Sequence, residues 1–220
     1  MKNTVITGAS SGIGLALCKH YKQQGWTVYG TCRTPSTELK NLGIKIIRDI
    51  DVSKPQTIRE LKSAVMDISL DLLINNAGVL RDEVLADLNF GSIQRQMEVN
   101  AYGPLRVTEA LQFNLKEHSK IAMITSRMGS ISDNTSGGRY GYRMSKAALN
   151  IASVSMAHDL AHKNIAVGIF HPGLVGTKMI SGVGDITADQ AAERLSQRIE
   201  QLNINNSGSF WHSNGEKLPW

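Results

Sequence analysis

The feature that most constrains the fold is a short strand that runs into three closely spaced glycines and then into a helix. Residues 4–7 are all β-branched, glycines follow at positions 8, 12 and 14, and apolar residues recur at helical spacing from 13 to 21. Glycine permits positive φ angles and close backbone approach, and a helix N-terminus favours negative charge. No Gly-Lys-Ser/Thr follows, which disfavours an NTPase P-loop. The order of elements therefore predicts a phosphate-binding turn, the alternative being an ordinary strand-to-helix turn.

The rest of the chain alternates short β-branched runs with longer helical stretches. This rhythm predicts an α/β fold with a doubly wound, mostly parallel sheet of about seven strands, flanked by helices and binding ligands at the carboxyl ends of its strands. Because there is no internal repeat or linker, residues 1–220 are expected to form a single domain. The predicted strands are 4–7, 27–31, 44–47, 71–74, 120–125, 165–170 and 209–212, and the predicted helices are 13–24, 57–66, segments of 92–115, 142–162 and 188–202.

Composition and charge exclude several classes of protein. Of the 220 residues, 41% are apolar and 20% are charged, which allows a core and argues against disorder. The net charge of +5 comes from scattered Lys and Arg, which disfavours nucleic-acid binding but suits an anionic nucleotide. No leader-like segment or run of about eighteen apolar residues is present, so we expect neither secretion nor membrane spanning. Cys18 and Cys32 form no CxxC pair, so we expect a cytoplasmic protein without a metal site.

A tyrosine and a lysine four residues apart are the clearest candidates for chemistry. Tyr142 and Lys146 fall inside a predicted helix, so their side chains lie on one face. A neighbouring ammonium favours the phenolate, so we expect it to lower the pKa of Tyr142 toward neutral pH, as a tyrosine acid/base requires. Tyr140 has Met144 at the corresponding position and is no candidate. The alternative is a pair on a solvated helix face.

Two polar segments follow predicted strands. Ser126 comes directly after strand 120–125, where side chains point toward the ligand crevice of such a sheet and a hydroxyl can polarise a carbonyl oxygen. The serine lacks a GxSxG context and is therefore no obvious hydrolase nucleophile. Asn75-Asn76-Ala77-Gly78 follows strand 71–74. Each segment, taken alone, also fits an ordinary turn.

Together these motifs resemble the classical short-chain dehydrogenase/reductase family, which has a Rossmann-type fold. The segment 7–14 is similar to the family's TGxxxGxG turn, 75–78 to its NNAG element and 142–146 to its YxxxK motif. Ser126 and Asn100 fall in catalytic positions of the family, and 172–177 is similar to its PGxVxT segment. The resemblance covers essentially the whole chain and is closest to the C-factor and sniffer-like carbonyl reductase group.

The resemblance implies hydride transfer between a nicotinamide and the carbonyl carbon of a small molecule. Tyr142 would then be the general acid in reduction, and Ser126 would bind the carbonyl oxygen. Lys146 would hold the nicotinamide ribose and lower the tyrosine pKa, while Asn100 would position a water in the proton relay. The implied cofactor site comprises Gly8, Ser10, Ser11, Gly12, Ile13, Gly14, Arg33, Asp51, Val52, Asn76, Ala77, Gly78, Tyr142, Lys146, Pro172, Gly173, Val175 and Thr177.

The end of the second strand predicts the cofactor to be NADP(H). Dinucleotide folds place the adenosine ribose there, where an acidic residue binds the NAD 2′-hydroxyl and an arginine accommodates the NADP 2′-phosphate. Strand 27–31 runs into Cys32 and Arg33, and no Asp or Glu occurs before Glu38. Arg33 is therefore expected to bind the phosphate, the alternative being a solvated loop residue with weak cofactor preference.

Two other functions and the state of assembly stay open at this point. The same residues would serve a dehydrogenase that oxidises an alcohol, and a C-factor-like signalling protein would need little turnover. The intact catalytic set favours catalysis over pure binding. In the resembled family the helix near 141–162 often pairs across a two-fold axis, so a homodimer or homotetramer is expected.

Two departures from the family pattern affect the substrate end of the site. Ser126 and Tyr142 are sixteen residues apart, slightly more than usual, so the loop 129–141 must bulge. The segment after Thr177 is short, which predicts a small lid and an open or shallow pocket.

Overall fold

The computed structural model describes residues 1–220, and its centre is one sheet of seven parallel strands. The strands are β1 (Asn3–Thr7), β2 (Thr27–Thr31), β3 (Lys45–Ile47), β4 (Leu70–Asn75), β5 (Leu115–Ile124), β6 (Ala166–His171) and β7 (Phe210–His212). Their spatial order is β3-β2-β1-β4-β5-β6-β7, and every neighbouring pair is parallel. The predicted doubly wound parallel sheet is confirmed.

Helices cover both faces of this sheet, as its parallel pairing requires. They are α1 (Gly12–Gln23), α2 (Thr37–Asn41), α3 (Pro55–Ala64), α4 (Phe90–Met97), α5 (Gly103–Leu111), α6 (Tyr140–Leu160) and α7 (Ala188–Gln201). On one face α1, α2 and α7 pack through residues such as Leu17, Leu39 and Leu195. On the other face α3, α5 and α6 pack through Leu61, Leu111 and Leu149. Two apolar layers therefore sandwich the sheet.

The central strand β1 is buried on both sides. Val5 and Ile6 are adjacent and fully buried, and they belong to opposite apolar layers because successive strand side chains alternate between faces. Polar residues replace apolar ones where the central strands end, at Thr7, Asn75 and Thr125, and these too are buried. The polarity of the sheet thus changes at its carboxyl edge.

The structure moves some predicted boundaries. β5 begins at Leu115 rather than at 120, because Leu115 pairs with Leu70 and the register with β4 then shifts before Leu72. His118 in this stretch has a φ of 64°, so a bend interrupts the alternation that would have revealed the longer strand. The short helix α2, capped by the Ser36 side chain, was not predicted since five residues are too few for a helical period.

The topology fixes where a ligand can enter. The chain passes from β1 outward to β2 and β3 and then returns to place β4 on the other side of β1. At such a switch point the connections leave the sheet in opposite directions and open a crevice beyond the carboxyl ends. None of the helices combines the length and the apolar character that crossing a bilayer would need.

Two helical glycines allow a test of the packing around this crevice. A Cβ at Gly14 would lie far inside van der Waals contact with the Gly8 carbonyl and 2.5 Å from Asn76 Nδ2, whereas at Gly91 its nearest neighbour would be Asn89 Oδ1 at 3.4 Å. We expect Gly14→Ala to lower the free energy of unfolding by about 2–3 kcal/mol through overpacking. Gly91→Ala, the matched control on exposed α4, is expected to raise it by about 0.5 kcal/mol. Urea unfolding measures both changes, and equal effects would contradict the packing argument.

Candidate active site

A cleft of about 1180 Å³ runs along the carboxyl edge of the sheet. The turn after β1, the end of β2, the segments after β4, β5 and β6, and the first turns of α6 line it. All of the residues predicted to be catalytic or to bind the cofactor line this cleft except Gly14 and Asn100. Gly14 instead allows α1 to approach the turn closely, and Asn100 lies behind the cleft wall.

The glycine-rich turn is held against the segment that follows β4. The hydroxyl of Thr7 accepts hydrogen bonds from the backbone N–H groups of Asn76 and Ala77, both at 3.0 Å. Asn76 Nδ2 donates to the Thr7 carbonyl at 2.9 Å. Gly8 has a φ of +69°, and a Cβ there would lie 2.9 Å from Ala77 Cα. Only glycine fits this position without strain, and the turn is rigid as a result.

The N-terminus of α1 is suited to an anion. Gly12 has a φ of +54°, the first turn of α1 contains no acidic residue, and the N-cap Ser11 makes no side-chain capping hydrogen bond. The first N–H groups of the helix are thus available to a ligand, and the helix dipole favours negative charge there. Across the cleft Thr177 faces Gly12, whose added Cβ would lie 3.3 Å from Thr177 Cγ2. This cradle fits the pyrophosphate of a dinucleotide.

The end of β2 carries a cation without an acidic partner. Arg33 is exposed, lines the cleft and forms no ion pair. The Ser10 hydroxyl donates to the Thr34 carbonyl at 2.7 Å and accepts from the Ser36 N–H at 3.0 Å, so it ties this loop to the glycine-rich turn. These contacts fit a ribose 2′-phosphate near Arg33.

Asp51, a residue of the predicted cofactor site, forms hydrogen bonds with other protein groups. It accepts hydrogen bonds from the Ser53 hydroxyl at 2.6 Å, the Ser53 N–H at 3.0 Å and the Arg95 guanidinium at 3.2 Å. Burial by itself would raise the pKa of Asp51, but the bonds from Ser53 and Arg95 outweigh it, so the pKa is lowered. Asp51 is therefore an ionised and oriented carboxylate at this end of the cleft.

Three predicted catalytic side chains meet at the opposite end. Ser126, Tyr142 and Lys146 are each less than 9% exposed and line the same cleft. Lys146 Nζ donates to the Ile124 carbonyl at 2.9 Å and lies 5.8 Å from the centre of the Tyr142 ring. Ser126 Oγ accepts from the Met128 N–H at 3.2 Å, which leaves the serine hydrogen free to donate. The arrangement presents hydroxyl and ammonium donors to one point.

The expected direction of the Tyr142 pKa shift is wrong. Burial of the phenol raises its pKa, and the Ser126 hydroxyl and the charge of Arg139 lower it only in part. Lys146 is not among the groups that lower the pKa of Tyr142. Burial lowers the pKa of Lys146 to about 8.

Asn100 supports the cleft wall from behind. It lies in a π-helical segment, Glu98–Tyr102, between α4 and α5 and is fully buried. Its Oδ1 accepts from the Val79 N–H, and its Nδ2 donates to the Val79 carbonyl, both at 2.8 Å, and to Ser145 Oγ at 3.0 Å. All its amide hydrogens are used, so the side chain fixes the segment after β4 against α6. The water-positioning role stays a prediction.

The long connection from Ser126 to Tyr142 bulges outward while its ends are pinned together. Asn150 on α6 accepts from the Thr125 hydroxyl at 2.7 Å and donates to the Gly129 carbonyl at 3.2 Å. A Cβ at Gly129 would lie 3.0 Å from the Lys146 carbonyl oxygen, so only glycine allows this approach to α6. Most residues of the stretch 131–138 are exposed, and Asp133, Thr135 and Ser136 within it line the cleft.

Sequence reasoning missed two buried polar residues near α6 and β6. Glu83 Oε1 accepts from Gln96 Nε2 at 2.6 Å and from the Ser92 hydroxyl at 2.8 Å, while its Oε2 accepts from the Gly141 N–H at 3.2 Å, beside Tyr142. Nothing in the polar run around Glu83 distinguishes it from a surface residue.

The second residue, His171, ends β6 and lines the cleft, and its Nδ1 has no hydrogen-bond partner. Burial, together with the neighbouring His212, lowers the pKa of His171 to about 3, so the ring is neutral. Its place before Pro172 was the available signal.

The chain matches a known protein family and several curated relatives. The short chain dehydrogenase family model matches residues 2–187. The chain is 35% identical to 1-hydroxy-2-glutathionyl-2-methyl-3-butene dehydrogenase of Rhodococcus sp. (strain AD45), across 100% of both chains. It is also 41% identical to C-signal of Myxococcus xanthus over 154 residues. This alignment covers 69% of this chain and 93% of that protein.

Solved structures extend the similarity to the whole fold. Carbonyl reductase Sniffer of D. melanogaster superposes with a TM-score of 0.91 at 27% identity, across 100% of both chains. The NADPH-bound carbonyl reductase from chicken fatty liver gives a TM-score of 0.89 at 26% identity, across 100% of this chain and 99% of that one. The resemblance to the C-factor and sniffer-like group is thus confirmed. Because the family model covers most of the chain and a relative matches it from end to end, the protein belongs to the short-chain dehydrogenase family of oxidoreductases.

Proposed function

We propose that the protein is an NADP(H)-dependent oxidoreductase that reduces the carbonyl group of a small ketone or aldehyde to an alcohol. The observation that carries this proposal is the convergence of Ser126, Tyr142 and Lys146 at one end of a cleft whose other end is a glycine-rich phosphate cradle. A dinucleotide that fills the cradle reaches the catalytic side chains along the carboxyl edge of the sheet. When bound, its nicotinamide supplies the hydride.

The side chains of the catalytic end would manage the proton and the carbonyl oxygen. Burial keeps the Tyr142 hydroxyl protonated at neutral pH, which is the form that a general acid in reduction needs. The Ser126 hydroxyl, which lowers the pKa of Tyr142 through a hydrogen bond, lines the same cleft and would donate to the substrate oxygen. Lys146 uses one donor on the Ile124 carbonyl and has two left for the nicotinamide ribose.

The choice of NADP(H) rests on Arg33 and on the absence of an acidic residue at the end of β2. A guanidinium forms bidentate hydrogen bonds to a phosphate, and no carboxylate of the protein competes for Arg33. The structural similarity to an NADPH-bound carbonyl reductase supports the same choice.

The reverse reaction, oxidation of an alcohol, is a second candidate. It is favoured by the full-length similarity to a relative that is named a dehydrogenase of a glutathionyl alcohol. In that direction Tyr142 must act as a base, and the raised pKa of its hydroxyl then requires alkaline pH or a bound cation. A C-signal-like signalling role would not need the buried catalytic set.

We also propose that the protein acts in the cytoplasm as a homodimer or homotetramer. Helix α6 exposes Met144 and Ile151, and Leu105 on neighbouring α5 is also exposed. Met144 and Ile151 are two helical turns apart and lie on the exposed face of α6, so a second copy of the chain would cover them.

Tyr142→Phe tests the proposed acid, with Tyr140→Phe as its matched control on the same helix. We expect the first change to lower kcat for carbonyl reduction by about a hundredfold or more, because it removes the proton donor, and to leave NADPH affinity nearly unchanged. Tyr140 does not line the cleft, so its variant should keep full activity. Loss of NADPH absorbance measures both. If Tyr142→Phe retained more than about a tenth of the turnover, the hydroxyl would contribute less than about 1.4 kcal/mol and would not be the principal acid.

Arg33→Ala tests the cofactor choice, with exposed Arg48→Ala on the adjacent strand edge as its control. Losing charged hydrogen bonds to a phosphate should weaken NADPH binding about ten- to a hundredfold and leave NADH binding unchanged. Arg48→Ala changes the net charge equally and should not affect the ratio of the two affinities. Fluorescence titration measures them. Comparable affinities of the wild type for both cofactors, or an unchanged NADPH affinity in Arg33→Ala, would refute the assignment.

The buried Lys146 should make stability depend on pH. Its pKa is about 8 in the folded protein against an ordinary 10.5, so between these values the unfolded chain binds a proton that the folded chain does not. The free energy of unfolding contributed by Lys146 therefore rises from pH 8 to pH 10.5, by up to about 3 kcal/mol.

The difference in unfolding free energy between wild type and Lys146→Met isolates this contribution, because other titrating groups cancel. Urea unfolding at several pH values should show the difference growing across that window in favour of the wild type. Lys62→Met, a change at an exposed lysine on α3, should give a curve parallel to that of the wild type. A parallel curve for Lys146→Met as well would mean that the ammonium is not desolvated.

A further inference from the structure

A second, smaller cavity opens beside the catalytic end of the cleft. Its volume is about 300 Å³, and most of its wall is apolar. The wall residues are Leu80, Asp82, Arg139, Leu174, Met179, Ile180, Ser181 and Val183. Five of them also line the main cleft, and Arg139 is the only charged residue among those five. The guanidinium of Arg139 therefore stands at the junction of the two cavities.

The backbone of Arg139 is held in an uncommon conformation. Its φ and ψ are 51° and 44°, in the left-handed region, and it immediately precedes α6. The N–H of Arg139 donates to the Glu83 carbonyl at 2.9 Å, and its carbonyl accepts from the Arg143 N–H at 2.9 Å. A left-handed residue other than glycine costs about 1–2 kcal/mol. The side chain of Arg139 lines the smaller cavity, where its Nε donates to Asp82 Oδ1 at 2.6 Å.

The ion pair at this mouth is weak and replaceable. The side chain of Asp82 is 68% exposed and that of Arg139 is 39% exposed. Exposed pairs of this kind contribute about 0–1 kcal/mol, so a carboxylate from a ligand can take the place of Asp82 at little cost. The charge of Arg139 also acts on the Tyr142 hydroxyl, which places the guanidinium near the catalytic group.

A second guanidinium at the rim has no carboxylate partner. Arg143 lines the cleft, and its Nε donates to the carbonyls of Gly137 and Gly138, both at 3.2 Å, while Nη2 donates to Ser136 Oγ at 2.9 Å. Arg127, by contrast, is paired with Asp133 and with Glu216. Arg143 is thus the one of these three rim arginines without a carboxylate partner.

We propose that the substrate is a carboxylate-bearing aldehyde or ketone, with its carboxylate bound by Arg139 and Arg143 at the junction of the two cavities and the rest of the molecule in the main cleft. Guanidinium groups bind carboxylates through paired, charge-assisted hydrogen bonds, which fix the orientation of the ligand. The carbonyl would then face Tyr142, which lines the same cleft. This inference rests on the proposed carbonyl reduction, which it extends by naming the substrate class.

The test compares two aldehydes as substrates in the presence of NADPH. They are para-carboxybenzaldehyde and its neutral methyl ester, methyl para-formylbenzoate. We expect kcat/KM for the carboxylate to exceed that for the ester by about tenfold or more, mainly through KM, because charged hydrogen bonds discriminate by at least that factor. Arg139→Gln should abolish this preference. Arg59→Gln, a change at an exposed arginine of α3 far from the cleft, should keep it.

Asp82→Asn should change the affinity for the carboxylate substrate in the opposite direction. It therefore tests the inference even if Arg139→Gln fails to fold. It removes the competing carboxylate, so KM for para-carboxybenzaldehyde should fall by about two- to fivefold. If the wild type reduces both aldehydes equally well, or Arg139→Gln retains the preference, the inference is overturned while carbonyl reduction stands.

Failure of the proposed function is recognised separately. If neither aldehyde is consumed, calorimetric titration of the NADP-saturated protein with para-hydroxymethylbenzoate and with its methyl ester still decides the matter. Binding of the carboxylate alone, lost in Arg139→Gln, supports the anion site without turnover. Equal binding of both compounds, or binding of neither, overturns it.

Discussion

The contact between the turn after β1 and the segment after β4 is the constraint on which the rest of the site depends. β1 and β4 are neighbours, but their connections leave the sheet in opposite directions, so a crevice opens there unless something closes it. The Thr7 hydroxyl, bonded to the N–H groups of Asn76 and Ala77, fixes the width of that crevice. A side chain at Gly8 would push the two segments apart. Phosphate binding and the position of the catalytic end therefore share one rigid junction.

Helix α6 carries Tyr142 and Lys146 and lies beside this junction. Its buried polar groups would destabilise the fold if they had no hydrogen-bond partners. Burial shifts Lys146 toward its neutral form, and an unpartnered ammonium in this place would destabilise the protein further. Bonds to backbone carbonyls reduce the cost, since Lys146 donates to Ile124 and Asn150 donates to Gly129. The Glu83 carboxylate accepts a hydrogen bond from the Gly141 N–H and stabilises the positive, N-terminal end of the same helix. Lys146 and Ser126 are thus held in place by hydrogen bonds to backbone groups.

The sequence predicted those parts of the protein that depend on local pattern. Strand and helix order, the glycine turn and the pair Tyr142 and Lys146 follow from spacing along one element, and the structure brings them to one cleft. The direction of the Tyr142 pKa shift could not be predicted, because it depends on how deeply the phenol is buried. Glu83 was missed for a similar reason: its three donors come from α4 and α6, and it becomes a buried acid only when these helices meet. Contacts that folding creates between distant segments leave no periodic pattern in the sequence.

The net charge of +5 affects ligand binding only where arginines have no carboxylate partner. Arg33 at the cradle end and Arg143 at the catalytic end lack acidic partners, whereas Arg95 is neutralised by Asp51. Arginines at the two ends of one concave surface raise the local concentration of anions over its length. Inside the cleft burial lowers the pKa of Lys146 to about 8, so its ammonium is still charged at neutral pH and adds to the attraction at the catalytic end. Such a distribution attracts an anionic ligand along the length of the cleft.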